Sequence, residues 1–232
     1  MTEYVFEPAA QASVAIAGSA ARFPVRRIFC VGRNYAAHAR EMGKDPDREP
    51  PFFFTKPSDA VVDDGIAVPY PPDTENLHFE AELVVAIGRE GVNVAQKIAL
   101  QHVWGYAIGN DLTRRDLQAT AKKMGRPWDW GKGFDNSAVC GPVHKVDDVG
   151  HMLSGEITLR LNGEVRQQAD IAEVIWSVPE IIGFLSRTVT IKPGDLIYTG
   201  TPAGVGPMVA GDVCEVFVAG LGKISTTITT RG

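Results

Sequence analysis

Glu80 and Glu82 stand two residues apart in His78-Phe79-Glu80-Ala81-Glu82, which runs into the apolar stretch Leu83-Val84-Val85-Ala86-Ile87 and a closing Gly88. Such a run reads as a strand, and strand side chains alternate faces, so the two carboxylates point the same way. On a helix they would diverge. From Leu83 onward both faces are apolar, which predicts a strand buried on both sides with the carboxylates at its entrance to the interior. Buried anions must be protonated, paired with Lys or Arg, or bound to a cation; a strand end left in solvent is the alternative. Asp111 offers a third carboxylate at the end of a second apolar strand, Trp104-Gly105-Tyr106-Ala107-Ile108-Gly109-Asn110. Three carboxylates without a nearby Cys or His pair suit a hard divalent ion, Mg2+, Mn2+ or Ca2+, rather than zinc.

Other reactive types fall close by. His38 and Glu41 are three apart on an expected short helix, 35–42, and share a face. A carboxylate bonded to one ring nitrogen fixes the imidazole tautomer and leaves the other nitrogen as a base; a lone, partly buried histidine is the plainer reading. Arg114, Arg115, Lys122, Lys123, Arg126 and Lys132 cluster in and after the helix that follows Asp111. Lys122 and Lys123 read as solvated helix surface, whereas Arg115 and Gln118 share one face near Asp111. The glycine-rich run 200–206 lacks the Gly-Lys-Ser/Thr ending of a phosphate loop and reads as a tight turn between strands.

The elements that must hold these residues are mostly short strands. Strands are expected over 25–31, 52–55, 60–68, the two carboxylate-bearing segments, and repeatedly over 188–229 between Gly and Pro turns. Asn34 is placed to cap the helix over 35–42, with Gly43 closing it. A helix is expected over 94–102. Thr113 and Asp116 read as a capping box, with Asp in place of Glu, for a helix over 114–124 that begins just beyond Asp111. Asn162-Gly163 between residues 157–161 and 164–168 is a strong hairpin signal, and Ser177 with Glu180 brackets Pro179 as a capping box for a helix reaching Leu185. This pattern indicates an α+β, mainly β architecture rather than a doubly wound sheet. The charged, proline-containing segment 44–51 is a candidate lid, or an ordinary surface loop.

With 232 residues and 44% hydrophobic content the chain can bury a full core, expected as one domain over 25–232 with residues 1–24 as an arm or edge strand. A net charge of −5 argues against nucleic-acid binding. Cys30, Cys140 and Cys214 are far apart and form no CxxC, which suggests buried thiols in a reducing cytoplasm. No basic leader with an apolar core opens the sequence and no segment approaches a membrane span, so a soluble, cytoplasmic protein is expected.

Five motifs carry a resemblance to a known family: Phe29-Cys30-Val31-Gly32-Arg33-Asn34-Tyr35, His78-x-Glu80-x-Glu82, Gly109-Asn110-Asp111-Leu112-Thr113-x-Arg115-Asp116-Leu117-Gln118, Lys132-x-Phe134-Asp135 and Gly200-Thr201-Pro202-x-Gly204-Val205-Gly206. In this order, over about residues 25–228, they resemble the fumarylacetoacetate hydrolase family, and within it the small acylpyruvate hydrolases. The resemblance implies a mixed β-sandwich roll, assembled as a homodimer, with Mg2+ or Mn2+ held by Glu80, Glu82 and Asp111. It implies that Arg115, Gln118 and Thr201 bind the substrate and that Lys132 approaches its oxo or carboxylate oxygens; Asp135 is placed to orient that lysine. His38 and Glu41 would activate water. His78 would lie just behind the metal. Phe79 stands where many relatives carry a second His, and Gly133 replaces a commoner Ser or Ala; by alternation Phe79 faces away from the carboxylates.

The expected reaction is therefore hydrolysis of the carbon–carbon bond of an acylpyruvate, fumarylpyruvate above all, a small anionic keto acid. Surplus cations suggest a dianion, with Arg33, Lys44 or Arg48 meeting its far carboxylate. Oxaloacetate decarboxylation and dienoate isomerisation are alternatives that pass through the same enolate. A non-catalytic module holding a structural Ca2+ is the rival from another class, and it leaves the cations and the His38–Glu41 pair unexplained.

Overall fold

A computed structural model describes residues 3–41 and 49–231. Its centre is the antiparallel pair Ala81–Ile87 and Val103–Asp111, in register at Glu82 with Gly109 and Leu83 with Ile108. The pair lies inside an eight-stranded sheet ordered Phe53–Lys56, Arg27–Val31, Asp195–Tyr198, Ala81–Ile87, Val103–Asp111, Ala138–Cys140 and Val61–Asp63; His144–Lys145 also pairs with Val103–Asp111.

Every residue of Ala81–Ile87 is buried, because both faces of the sheet are covered. On one face Leu83, Val85, Ile87, Tyr106 and Ile108 pack against Ile157, Leu159, Val216, Ile224 and Ile228. Those residues come from a five-stranded sheet ordered Glu164–Asp170, Glu156–Leu161, Val213–Val218, Gly222–Thr229 and Ala67–Pro69. On the other face Val84, Ala86 and Ala107 meet Val14, Phe23 and Val25. Val14 and Phe23 lie on the hairpin Ser13–Ile16 and Ser19–Pro24. Burial of this much aliphatic surface is the main stabilising term, at about 25 cal/mol per Å2.

A third sheet explains how the site is exposed. Leu77–Phe79 pairs with Thr113–Arg114 and with Gly206–Met208. The two central strands thus leave the large sheet together, one before Ala81 and one after Asp111, and re-pair in the small one. Glu80 and Asp111 stand at that shared bend, with the Asp111 N–H donated to the Glu80 carbonyl at 2.9 Å. The glutamate segment is consequently two strands rather than the single one expected.

The mixed sandwich and its few short helices agree with the expected class. The Asn162-Gly163 hairpin forms with φ of 52° and 84° at its tip. Helix Val178–Thr188 starts where Ser177 and Glu180 bond each other. Three local expectations need correction. The strand expected over 60–68 is split by a turn at Gly65 (φ 77°) into Val61–Asp63 and Ala67–Pro69, which join different sheets. The Thr113–Asp116 capping box is absent: Thr113 Oγ1 donates to the Asp111 carbonyl, Asp116 accepts from Thr74 and Glu75, and the helix runs Arg115–Met124. Asn34 does not cap the following helix, Ala36–Glu41; its amide donates to the Trp176 and Thr199 carbonyls and its oxygen accepts from the Trp176 N–H. Among the described residues no helix is long and apolar enough to cross a membrane.

Candidate active site

Strand alternation puts Glu82 and Asp111 on one face, and the bend turns Glu80 toward them. Ligand oxygens of the three carboxylates lie within 4.8 Å of one another, and all three residues are buried. Glu80 is compensated: Lys132 Nζ stands 2.8 Å from its Oε2 and the Arg115 guanidinium donates to its Oε1. Burial opposes its charge, yet those two cations outweigh burial and hold its carboxyl well below the usual range. Lys132 Nζ also contacts Asp111 Oδ2 at 2.8 Å.

Glu82 has no such cation. Its Oε2 accepts the Gly200 N–H at 2.6 Å, and burial first, then Asp111 and Glu80, push its carboxyl well above normal. Asp111 Oδ1 is 2.8 Å from Lys56 Nζ, close enough for an ion pair, but the approach is off the hydrogen-bonding angle and the oxygen has no hydrogen bond. Buried, convergent hard oxygens, with Glu82 outside any ion pair among the described residues and one Asp111 oxygen without a hydrogen bond, fit a divalent cation such as Mg2+ or Mn2+.

Across the cleft, His38 Nδ1 lies 3.2 Å from Glu41 Oε2. Glu41 also accepts the Gly204 N–H, at 3.1 and 3.2 Å to its two oxygens. Burial, only partly opposed by Glu80 and Glu41, lowers the His38 pKa below its ordinary 6.5. With Nδ1–H donated to Glu41, Nε2 is free as an acceptor. The loop after Tyr198 therefore serves both ends, through Gly200 to Glu82 and Gly204 to Glu41, with Thr201 between. Gly200 (φ 100°) is obligatory there, since a Cβ would come within 2.7 Å of Asn34 Cβ.

One cleft is lined by Arg33, His38, Glu80, Glu82, Arg115, Gln118, Lys132 and Thr201, with Lys122 among them. Asp111 lies beneath it and Glu41 at its edge behind His38. Arg115 donates to Gln118 Oε1 at 2.8 Å, which leaves the Gln118 amide N–H groups for a ligand. Thr201 Oγ1 accepts from Gln167 at 2.9 Å and keeps its own proton to donate. His78 buttresses this wall: Arg115 Nε donates to its Nδ1 at 3.3 Å, and burial lowers its pKa to about 4. Asp135, expected to orient Lys132, is exposed and forms no bond to it; Glu80 and Asp111 orient the lysine instead. Lys44 and Arg48 lie outside the described residues. Lys122, expected on the solvated surface, is exposed, and it also borders the cleft with its ammonium 4.7 Å from the centre of Trp128.

Three supporting residues escaped the sequence reading. Lys56 is fully buried and donates to the carbonyls of Leu112 and Lys132 as well as facing Asp111. Its signal was available, since Phe54 and Lys56 alternate onto one strand face. Asn110 receives the Glu80 N–H on its side-chain oxygen at 3.0 Å. Gln167 accepts the Ala81 N–H and donates to Thr201 and the Pro202 carbonyl. A bulge opposite Leu159 and Arg160 shifts the alternation around Gln167, so period-two reasoning could not have found it.

Comparison with known proteins agrees with this geometry. Residues 27–229 match the family described as fumarylacetoacetate (FAA) hydrolase C-terminal. A fumarylpyruvate hydrolase of Ralstonia sp is 45% identical over 189 residues, covering 81% of this chain and 98% of that protein. A mitochondrial oxaloacetate tautomerase of Homo sapiens is 41% identical over 199 residues, 84% of this chain and 88% of that protein. The crystal structure of fumarylpyruvate hydrolase from Pseudomonas aeruginosa in complex with Mn2+ and pyruvate superposes with a TM-score of 0.97 at 51% identity, covering 99% of this chain and 100% of that one.

Proposed function

The chain belongs to the fumarylacetoacetate hydrolase family, and on that premise we propose that it is a hydrolase that uses Mg2+ or Mn2+ to cleave the carbon–carbon bond of an acylpyruvate, fumarylpyruvate first, to fumarate and pyruvate. The observation that carries this reading is one cleft presenting a convergent carboxylate triad at one end and a His–Glu pair at the other. Held by Glu80, Glu82 and Asp111, the cation would act as a Lewis acid toward the oxygens of the keto-acid end.

The remaining work falls to side chains. Gln118 and Thr201 donate to the pyruvyl carboxylate. His38, held in one tautomer by Glu41, takes a proton at Nε2 from water attacking the carbonyl on the acyl side. The bond to the pyruvyl methylene breaks, its electron pair passes to pyruvate as the enolate, and the acyl part leaves as a carboxylate. Lys132 donates to the developing enolate oxygen from a buried position where a hydrogen bond to charge is strong. Pyruvate forms when the enolate is protonated on carbon.

Charge balance supports a dianionic substrate. Glu80, Glu82 and Asp111 equal Lys56, Lys132 and Arg115 in number, so a bound divalent cation, with Arg33 and Lys122 also in the lining, leaves the cleft positively charged. Fumarylpyruvate carries two carboxylates. Oxaloacetate chemistry is a second reading, favoured because the triad and Lys132 can hold an enolate without the His38–Glu41 pair. The buried free thiols suit a reducing cytoplasm, and a homodimer follows the family resemblance alone. The test is loss of the diketone-enol absorbance of fumarylpyruvate on adding protein loaded with Mg2+ or Mn2+. No loss, with oxaloacetate consumed, would move the assignment to the second reading.

A further inference from the structure

The far carboxylate of such a substrate needs a partner, and an aromatic patch borders the cleft, sharing Phe54 with its lining. Phe52 and Trp128 meet edge to face with ring centres 5.0 Å apart, and Phe54 lies 5.6 Å from Trp128. A cation stands over each ring: Arg33 Cζ 5.2 Å from the centre of Phe52, Lys132 Nζ 5.0 Å from Phe54, and Lys122 Nζ 4.7 Å from Trp128. Lys132 is committed to Glu80 and Asp111. Among the described residues neither Arg33 nor Lys122 has a carboxylate within ion-pair distance, and both line the cleft.

Position along the helix Arg115–Met124 separates their tasks. Arg115, Gln118 and Lys122 form one stripe at spacings of three and four, with Arg115 beside Glu80. Lys122 follows Arg115 by roughly 10 Å of helix axis, which sets its backbone outward of the metal end, and its stem leans back along the helix so that the ammonium lines the cleft. Its charged neighbours are Arg115, Arg33 and Lys132, against the single anion Glu80; burial and these like charges draw its pKa down to about 8. A cation held among cations, stacked on a ring and without an anion, is a receptor for one.

We propose that Lys122, flanked by Arg33, is a specificity-determining residue that binds the second carboxylate of a dianionic acylpyruvate, while the Trp128 face fixes its stem. The proposal rests on the acylpyruvate reading for the substrate's name, though not for the charge selectivity of the site. Lys122→Met keeps the length and apolar contact of the side chain at an exposed position. In Mn2+-loaded protein it should lower kcat/KM for fumarylpyruvate roughly tenfold more than for acetylpyruvate, with the difference in KM. Lys122→Arg should restore the preference. Calorimetry with fumarate and pyruvate gives a readout free of turnover: Lys122→Met should weaken fumarate several-fold more than pyruvate. Equal effects on both substrates and both products would overturn the proposal as a general charge effect, and no effect would overturn it outright. If the unmodified protein turned over neither substrate, the hydrolase reading would fall while the fumarate and pyruvate affinities still decided Lys122.

Discussion

At the carboxylate end of the cleft the three carboxylates themselves sit on strands or at the bend between them. Glu82 is the second residue of Ala81–Ile87 and Asp111 the last of Val103–Asp111, and the Asn110 side chain and the Asp111 N–H tie the two segments across Glu80. At the other end His38 and Glu41 ride on the six-residue helix Ala36–Glu41, too short to persist by itself. It is held by Asn34 pinning its start to Trp176 and Thr199, and by Gly204 reaching Glu41. The stiff end suits a cation that demands fixed geometry, and the lightly held end suits a base that must follow a reacting water.

That contrast can be broken most sharply at Glu82. Glu82→Gln keeps the shape and the Gly200 contact but removes a charge, so activity should fall roughly a thousandfold or more, the loss of several kcal/mol of Lewis-acid stabilisation. Metal affinity by calorimetry should fall with it while the circular dichroism spectrum is kept. Full activity in exhaustively chelated protein would remove the cation from the reaction. His38→Ala should cost roughly a hundredfold or more in hydrolysis yet leave metal affinity unchanged. It should cost oxaloacetate decarboxylation less, because that reaction needs no attacking water; equal losses would mean that His38 is not the base.

Gly200→Ala tests the connection between the ends. Its positive φ and the clash with Asn34 should cost about 1–3 kcal/mol, read as a lower Tm, and should disturb metal binding and hydrolysis together. A smaller effect belongs to pH. A base must be neutral to act, so kcat/KM should be full above the His38 pKa and lost as pH falls through it. Since burial lowers that pKa, the acid limb should inflect below 6.5, and Glu41→Gln should move it further down by removing a stabilising charge.

The stiff end was also the legible one. Period-two alternation in two apolar runs singled out Glu80, Glu82 and Asp111, which the fold brings into one buried cluster, because a strand buried on both faces leaves polar residues only at its ends. The bend at Glu80 was hidden, since a change of partner sheet leaves no mark on alternation. Lys56 and Gln167 depend on contacts far along the chain, and helical spacing, which put Lys122 on an exposed face, says which face a residue shares and not that this face borders the cleft. Asn34 and Asp116 have the composition of caps, but distant backbone groups, and for Asp116 also the Thr74 hydroxyl, claimed their side chains instead.

The loop from Gly200 to Gly204 has a thermodynamic meaning beyond its geometry. It donates one N–H to Glu82 and another to Glu41, so it makes one mechanical body of two charges that never touch. A coupling free energy between a cation on Glu82 and the basicity of the His38–Glu41 pair has this loop as its route. Reciprocity then requires that protonating the pair alter cation affinity by the same factor.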